Sequence, residues 1–185
     1  MPTPSDSLPD PAAATREALL EAAETTFARA GYAEARLELI VAAAGVSKGA
    51  LYHHYSGKQA LFEAVVERLG TGAADRVRGR CAGIADPWDR TTTGVGLLLV
   101  VAGEPSFARI VVQDAPAVLG AERYRAHERR TTYACLLELL TEVLPAAAAA
   151  PATAFALEAA LRAGAADHET ALTLIVGGLR ALAAT

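Results

Sequence analysis

Lys48 and Lys58 are the only lysines in a chain of 185 residues, and both fall within residues 39–62, a stretch without a single aspartate or glutamate. His53 and His54 lie there too. A local cation cluster of this kind can hold an anion even though the formal net charge of the whole chain is −4. The overall acidity argues against a uniformly basic nucleic-acid binder but leaves a local basic patch open. The types around Lys48 suit a DNA groove. Lysine can meet guanine edges or a phosphate, and a methyl such as that of Ala50 can touch thymine. Gly49 has no side chain to hold the helix off the bases. Tyr52 offers a hydroxyl and His53 a ring nitrogen. His54 can face either the core or a phosphate.

The competing chemistries find little support. Neighbouring residues on a helix point about 100° apart, so His53 and His54 do not converge on a metal. Cys81 and Cys135 are far apart in sequence and show no zinc-like spacing. They read as packed thiols or, alternatively, as a redox switch. No nucleophile elbow, phosphate loop or metalloprotease motif occurs. Neither an enzyme, a metal nor a cofactor is therefore expected. The start of the chain lacks the basic and apolar segments of a signal peptide, and the most apolar run, GVGLLLVVAG, is far below the ~20 residues of a membrane span. A cytoplasmic protein is expected.

The elements that must position these residues are helices. Just over half the residues are apolar and 21% are charged, with alanine prominent, a composition that favours an all-α fold with a sizeable core. Residues 1–14, rich in proline, should form a flexible arm. Leu19, Ala22, Ala23, Phe27 and Ala30 trace one face of a helix that Gly31 ends. A second helix fits 37–44 and a third 48–55, with Ser47 as its N-cap. The turn between them contains Gly45, which makes the pair a helix-turn-helix. Ser56 and Gln59 match a capping box and open a fourth helix toward residue 80, with Gly70 and Gly72 as places where it can bend or stop.

Farther on, Asp86-Pro87 reads as a cap followed by proline at the first helical position, for a helix to about residue 102. A short helix fits 105–113, followed by a tight connection at 116–120. A long unbroken helix fits 121–144. The segment PAAAAAP at 145–151 reads as a connector. Helices at 153–163 and 168–184 complete the chain, the last capped by Asp167. Arg123, Arg125, Arg129 and Arg130 read as a solvated helix face.

Residues 15–66, and within them GVSKGALYHHYSGKQALF at 45–62, resemble the N-terminal domain of tetracycline-repressor (TetR) type regulators. Phe27, Gly31, Tyr32, Ile40, Ala43, Gly45, Val46, Ser47, Leu51, Tyr52, Tyr55, Lys58 and Leu61 match together. The resemblance implies a three-helix DNA-binding domain over 15–62, joined by the linking fourth helix to a helical regulatory and dimerisation domain over 63–185. Its expected DNA contacts are Arg36, Ser47, Lys48, Gly49, Ala50, Tyr52, His53, His54 and Lys58. One departure stands out. Where the family carries a threonine or serine pair at the start of the second helix, this chain has Ala35 and Arg36. Arg36 either replaces the lost phosphate contact or is a solvated surface arginine.

The resemblance further implies a homodimeric repressor of a palindromic operator, released by a small molecule. A dimer reads two half-sites, which one short helix cannot do. The helices over 121–144 and 168–184 are the dimer candidates, with Leu172, Ile175, Val176 and Leu179 as the apolar stripe. That stripe equally fits packing inside its own subunit. An apolar ligand pocket is expected. Trp88, Leu98, Phe107, Val111, Tyr124 and Tyr133 are candidates for its lining, though each fits a plain core position as well. The alternatives are gating by a protein partner or by cysteine oxidation, and a helical dimeric scaffold that does not bind DNA.

Overall fold

The computed structural model describes residues 11–163 and 167–184, and every regular element among them is helical. Helix α1 spans Pro11–Glu34, α2 Leu37–Ala43, α3 Lys48–His54 and α4 Lys58–Cys81. Among the described residues, 11–14 already belong to α1, inside the expected arm. The rest of that arm, 1–10, lies outside the described residues. Near its end α1 kinks at Gly31, whose φ is 74°. A Cβ there would also meet the Arg109 guanidinium at 2.0 Å.

Phe27, Tyr32 and Phe62 lock α1 to α4. The two phenylalanine rings meet edge to face at 5.0 Å, and Tyr32 approaches Phe62 at 4.9 Å. Leu19, Ile40, Leu51 and Leu61 are fully buried around them. This core does not stop at residue 62. It continues through Val65 and Val66 and takes in Phe107, Ile110 and Ala115.

Helix α4 runs unbroken through Gly70 and Gly72. Its start differs from the expected capping box. Gly57 is the N-cap residue, with no side-chain cap. Ser56 sits one position too early, and the Gln59 amide donates instead to the Val118 carbonyl at 3.0 Å.

Helix α5 (Pro87–Gly103) opens as expected, with the Asp86 carboxylate accepting from the Asp89 amide at 2.9 Å. Its apolar run forms the centre of a second core, packed by α4, α9, α10 and α11. The expected turn at 116–120 is instead helix. Residues 105–119 form one continuous helical path: α6 (Pro105–Phe107), a π-helical segment (Ala108–Asp114) and α7 (Ala115–Leu119). The Ala115 amide reaches back to the Ile110 carbonyl. Pro116 has no amide to bond, and the widened turn before it lets the helix continue.

The expected helix over 121–144 is divided into α8 (Ala121–Arg130) and α9 (Thr132–Leu140). Thr131 breaks it, at φ −122° and ψ −105°. Its hydroxyl donates to the His127 carbonyl at 2.8 Å, taking the place of its own amide, which turns to the Glu128 carbonyl at 3.0 Å. Side-chain bonding of this kind bends helices. The expected connector at 145–151 belongs to α10 (Ala146–Ala163). Alanine is the best helix former, and Ala149, Ala152, Ala156 and Ala160 place a small-residue face into the second core. Helix α11 (His168–Ala183) is capped by Asp167, which accepts from the Thr170 amide at 3.1 Å. Among the described residues no single helix is long and apolar enough to cross a membrane.

Gly70 and Gly72 differ in role. A Cβ at Gly70 would stand 2.9 Å from the Thr131 hydroxyl, whereas a Cβ at Gly72 would meet nothing. Gly70→Ala is expected to lower stability by about 1–3 kcal/mol through overpacking. Gly72→Ala is expected to raise it by up to about 1 kcal/mol, the helix-propensity gain. Chemical denaturation of the two variants checks both signs.

Candidate nucleic-acid interface and regulatory cavity

The turn between α2 and α3 is fixed by its own backbone. Gly45 has φ 65°. Its amide bonds the Ala42 carbonyl, and the Val46 amide reaches the Val41 carbonyl, both at 3.2 Å. That pair of bonds is the Schellman arrangement, which closes a helix on a left-handed residue. Val41 and Val46 pack against the first core beneath the turn. Ser47 then caps α3, its hydroxyl accepting from the Ala50 amide at 3.1 Å. Buried Leu51 and Tyr55 anchor the inner side of α3 and the residue that ends it.

The outer side of α3 presents Lys48, Gly49, Tyr52 and His53 to solvent. Ala50 and His54 are half-buried, and the two histidine rings meet edge to face at 5.2 Å. A Cβ at Gly49 would find only the Ser47 hydroxyl, at 3.7 Å. Arg36 is exposed at the N-cap position of α2 and makes no cap bond. Two features here were not anticipated. Lys48 pairs with Glu38 across the helix-turn-helix at 3.2 Å. Beside Glu38, Leu39 is an exposed large apolar side chain.

Lys58 is tied into the fold. Its ammonium donates to the Ala33 carbonyl at 2.9 Å and sits 4.6 Å from the Tyr32 ring centroid. It thus satisfies a carbonyl near the end of α1, where a cation also suits the helix dipole. The Tyr32 amide donates to the Asp114 carboxylate at 2.7 Å, and Arg109 pairs with Asp114 at 3.4 Å. The α3-bearing end is therefore bolted to the helical path over 105–119 as well as to α4.

On its other side that path borders a cavity of about 820 Å3, open to solvent and lying between α7, α8 and α10. Val112, Pro116, Leu157 and Leu161 form its apolar walls. Of the six expected lining residues, Tyr124 and Tyr133 are there. Phe107, Val111 and Tyr124 border a narrow crevice just inside, which shares Tyr124, Glu128 and Leu161 with the cavity. Leu98 is packed in the second core instead, and Trp88 lies beneath the Arg180 guanidinium at 4.8 Å. The lining also has polar members. Arg125, Glu128 and Arg129 stand at i, i+3 and i+4 on one face of α8, and both arginines keep the exposure expected of them.

Burial pushes the Glu128 carboxyl above its ordinary range, although the neighbouring Tyr124 hydroxyl and the Arg125 and Arg129 charges pull the other way. Next to it, buried His127 joins α8 to α4. Its Nε2 is 3.0 Å from Glu63, and its Nδ1 contacts Glu67, which Arg130 also holds at 3.0 Å. Burial would raise the Glu67 carboxyl, but the hydrogen bonds from Arg130 and His127 hold it below the ordinary value.

The cysteines are both buried. The Cys81 thiol donates to the Arg90 carbonyl at 3.4 Å and that of Cys135 to the Ala74 carbonyl at 3.6 Å. Burial raises both, Cys135 to about 11. The expected dimer stripe also faces inward. Ile175, Val176 and Leu179 are buried in their own protomer's core, and Leu172 is packed against it. Leu174, 71% exposed, and Leu182 point outward instead.

The profile of the bacterial regulatory proteins of the tetR family matches residues 19–65, and that of the tetracyclin repressor-like C-terminal domain matches residues 88–184, more than half the chain. The chain belongs to the tetR family. The first match contains the helix-turn-helix and the second most of the helical C-terminal part, and the family is one of bacterial regulatory proteins. A Bacillus subtilis relative, the HTH-type transcriptional regulator YvdT, is 36% identical over 72 residues, which is 39% of this chain and 37% of the relative. The HTH-type transcriptional repressor BepR of Brucella suis is 42% identical over 57 residues, 31% of this chain and 27% of the relative. The chain thus matches only about a third of the length of these two relatives. A solved TetR-family regulator from Pectobacterium atrosepticum is similar throughout, with 29% identity, 95% of each chain covered and a TM-score of 0.71.

A group whose folded pKa is raised contributes stability at low pH that is lost as pH rises through that value. Glu128 is such a group. Glu128→Gln keeps the shape of the side chain and removes the charge. The variant is therefore expected to melt above the parent at about pH 7.5, with the difference shrinking toward about pH 4, where the parent carboxyl protonates. Melting curves across that range test the sign, and a gain that grows in acid would contradict it.

Proposed function

We propose that this tetR-family regulator represses transcription by binding a palindromic operator as a homodimer, and that a small molecule in the cavity beside α8 releases it. In this reading residues 15–62 are the DNA-reading head and 63–185 the regulatory and dimerisation part. The observation that carries the proposal is the rigid presentation of α3. Its start is held by the Ser47 cap and the Gly45 turn, while Lys48, Gly49, Tyr52 and His53 face outward with no bulk at Gly49. Arg36, Ala50 and His54 flank this face. Lys58 anchors the head and lends its charge near the DNA backbone.

Release follows from geometry shared by the cavity and the head. Val112 and Pro116 line the cavity, and residues of the same path hold Tyr32 and Gln59. His127, beside the inner crevice, grips α4. A ligand that favours one placement of these elements shifts DNA affinity by the difference in its own affinity for the two placements. Gating by cysteine oxidation has less behind it, because a buried, protonated thiol is a poor nucleophile. For the dimer, Leu174, Gly177, Gly178 and Leu182 make an outward stripe on α11 at i, i+3, i+4 and i+8, and Phe155 of α10 is also exposed.

The deciding experiment is selection of bound fragments from random DNA. A palindrome with half-sites about 34 Å apart is expected, and absence of enrichment would favour a scaffold without DNA binding. Lys58→Ala is expected to weaken binding to all sequences and lower the salt slope by about one ion. A melting curve monitors the lost bond to Ala33, and an unchanged slope would remove Lys58 from the phosphate contacts. Leu174→Glu is expected to shift the protein toward monomer in sedimentation. A dimer of undiminished affinity would place the interface elsewhere.

A further inference from the structure

Five arginines surround the cavity region on α8 and α10, and three are neutralised. Arg123 pairs with Glu63 at 3.1 Å, Arg130 with Glu67 at 3.0 Å and Arg162 with Glu158 at 2.7 Å. Among the described residues Arg125 and Arg129 take part in no ion pair, and both line the cavity. They stand one helical turn apart on the same face, with Cβ atoms about 5–6 Å apart, within reach of one anion. Two adjacent guanidiniums suit one carboxylate, each able to form charge-assisted bonds to it.

The remaining lining complements such a group. Val112, Pro116, Leu157 and Leu161 offer an apolar bed, with the Tyr124 and Tyr133 rings beside it. Two carboxylates also face the cavity and bear on the sign of the ligand. Glu158 is cancelled by Arg162. Glu128 lies on the same face of α8 as Arg125 and Arg129 and offsets one of them. Arg125, Arg129 and Arg162 against Glu128 and Glu158 leave the lining with one net positive charge.

We propose that the cavity between α7, α8 and α10 takes an amphipathic organic anion, an apolar body carrying one carboxylate, with Arg125 and Arg129 as the residues that select the charge. This rests on the reading of the helical part as a ligand-binding domain. The ligand's body lies on Leu157, Leu161 and Val112, and its carboxylate lies across α8.

A head-group series tests the proposal without DNA. The full chain is titrated with 2-naphthoate, 2-naphthylmethanol and 2-naphthylmethylammonium, which share one body and differ in charge, and binding is read by naphthalene fluorescence anisotropy. The carboxylate is expected to bind about tenfold or more tighter than the alcohol, with the ammonium weakest. Arg125→Gln and Arg129→Gln are each expected to lower naphthoate affinity by about tenfold and to leave the alcohol unchanged. Equal binding of the three probes, preference for the ammonium, or no binding of naphthoate would overturn the proposed class. Naphthoate binding that both glutamine variants retain would overturn the role of the two arginines. Because DNA is absent throughout, each of these failures is distinct from a failure to find an operator.

Discussion

The buried side of α4 sets the geometry of everything else. Its first half supplies Leu61, Phe62, Val65 and Val66 to the core that carries α1, α2 and α3, and its second half supplies Ala74, Val77 and Cys81 to the core around α5. One rigid rod of about 36 Å is thus shared by two hydrophobic clusters. At its middle, Gly70 lets Thr131 come into contact, and it is there that α8 and α9 part. The break turns α8 so that His127 meets Glu63 and Glu67 on one side while Arg125 and Arg129 face the cavity on another.

Local signals that rest on a single side chain and a single backbone group were readable in advance. Ser47, Asp86 and Asp167 each cap the helix expected of them, because a cap depends only on residues within one turn. Gly45 ends α2 for the same reason. Signals that needed a neighbour in space misled. Ser56 and Gln59 have capping-box spacing, but Gly57 takes the N-cap position and Gln59 is drawn to Val118, far along the chain. The break at Thr131 comes with its hydroxyl bond to the His127 carbonyl, but Thr26 and Thr153 make the same bond without a break, so the sequence does not mark it. The alanine run of α10 looked like low complexity because its purpose, close packing, is visible only with its partner helices in place. The cavity belongs to the same class: Arg125 and Arg129 were visible as an i, i+4 pair, but nothing local showed that Arg123 and Arg130 were already neutralised from α4.

Charge on the α3 side is arranged sparingly. The chain concentrates its two lysines at the head and then uses both inside the fold, Lys48 against Glu38 and Lys58 against Ala33. The exposed Lys48 pair is weak in water and can be exchanged for a phosphate at little cost. Lys58 is held over Tyr32 by the fold itself, so a phosphate contact there would cost it little side-chain freedom.

The two thiols give the second core a built-in clock. Cys135 is 1% exposed, its hydrogen pointing to a carbonyl of α4, and its thiol is pushed to about 11. Attack on a thiol reagent requires the thiolate and room for the reagent. Neither exists while α9 lies on α4. Alkylation of Cys135 therefore proceeds only through moments when the two helices separate, and its rate counts those openings. Cys81, bonded to the Arg90 carbonyl, reports in the same way on α4 and α5. With no other cysteine in the chain, the breathing of one hydrophobic core can be followed at two of its seams without adding a foreign probe.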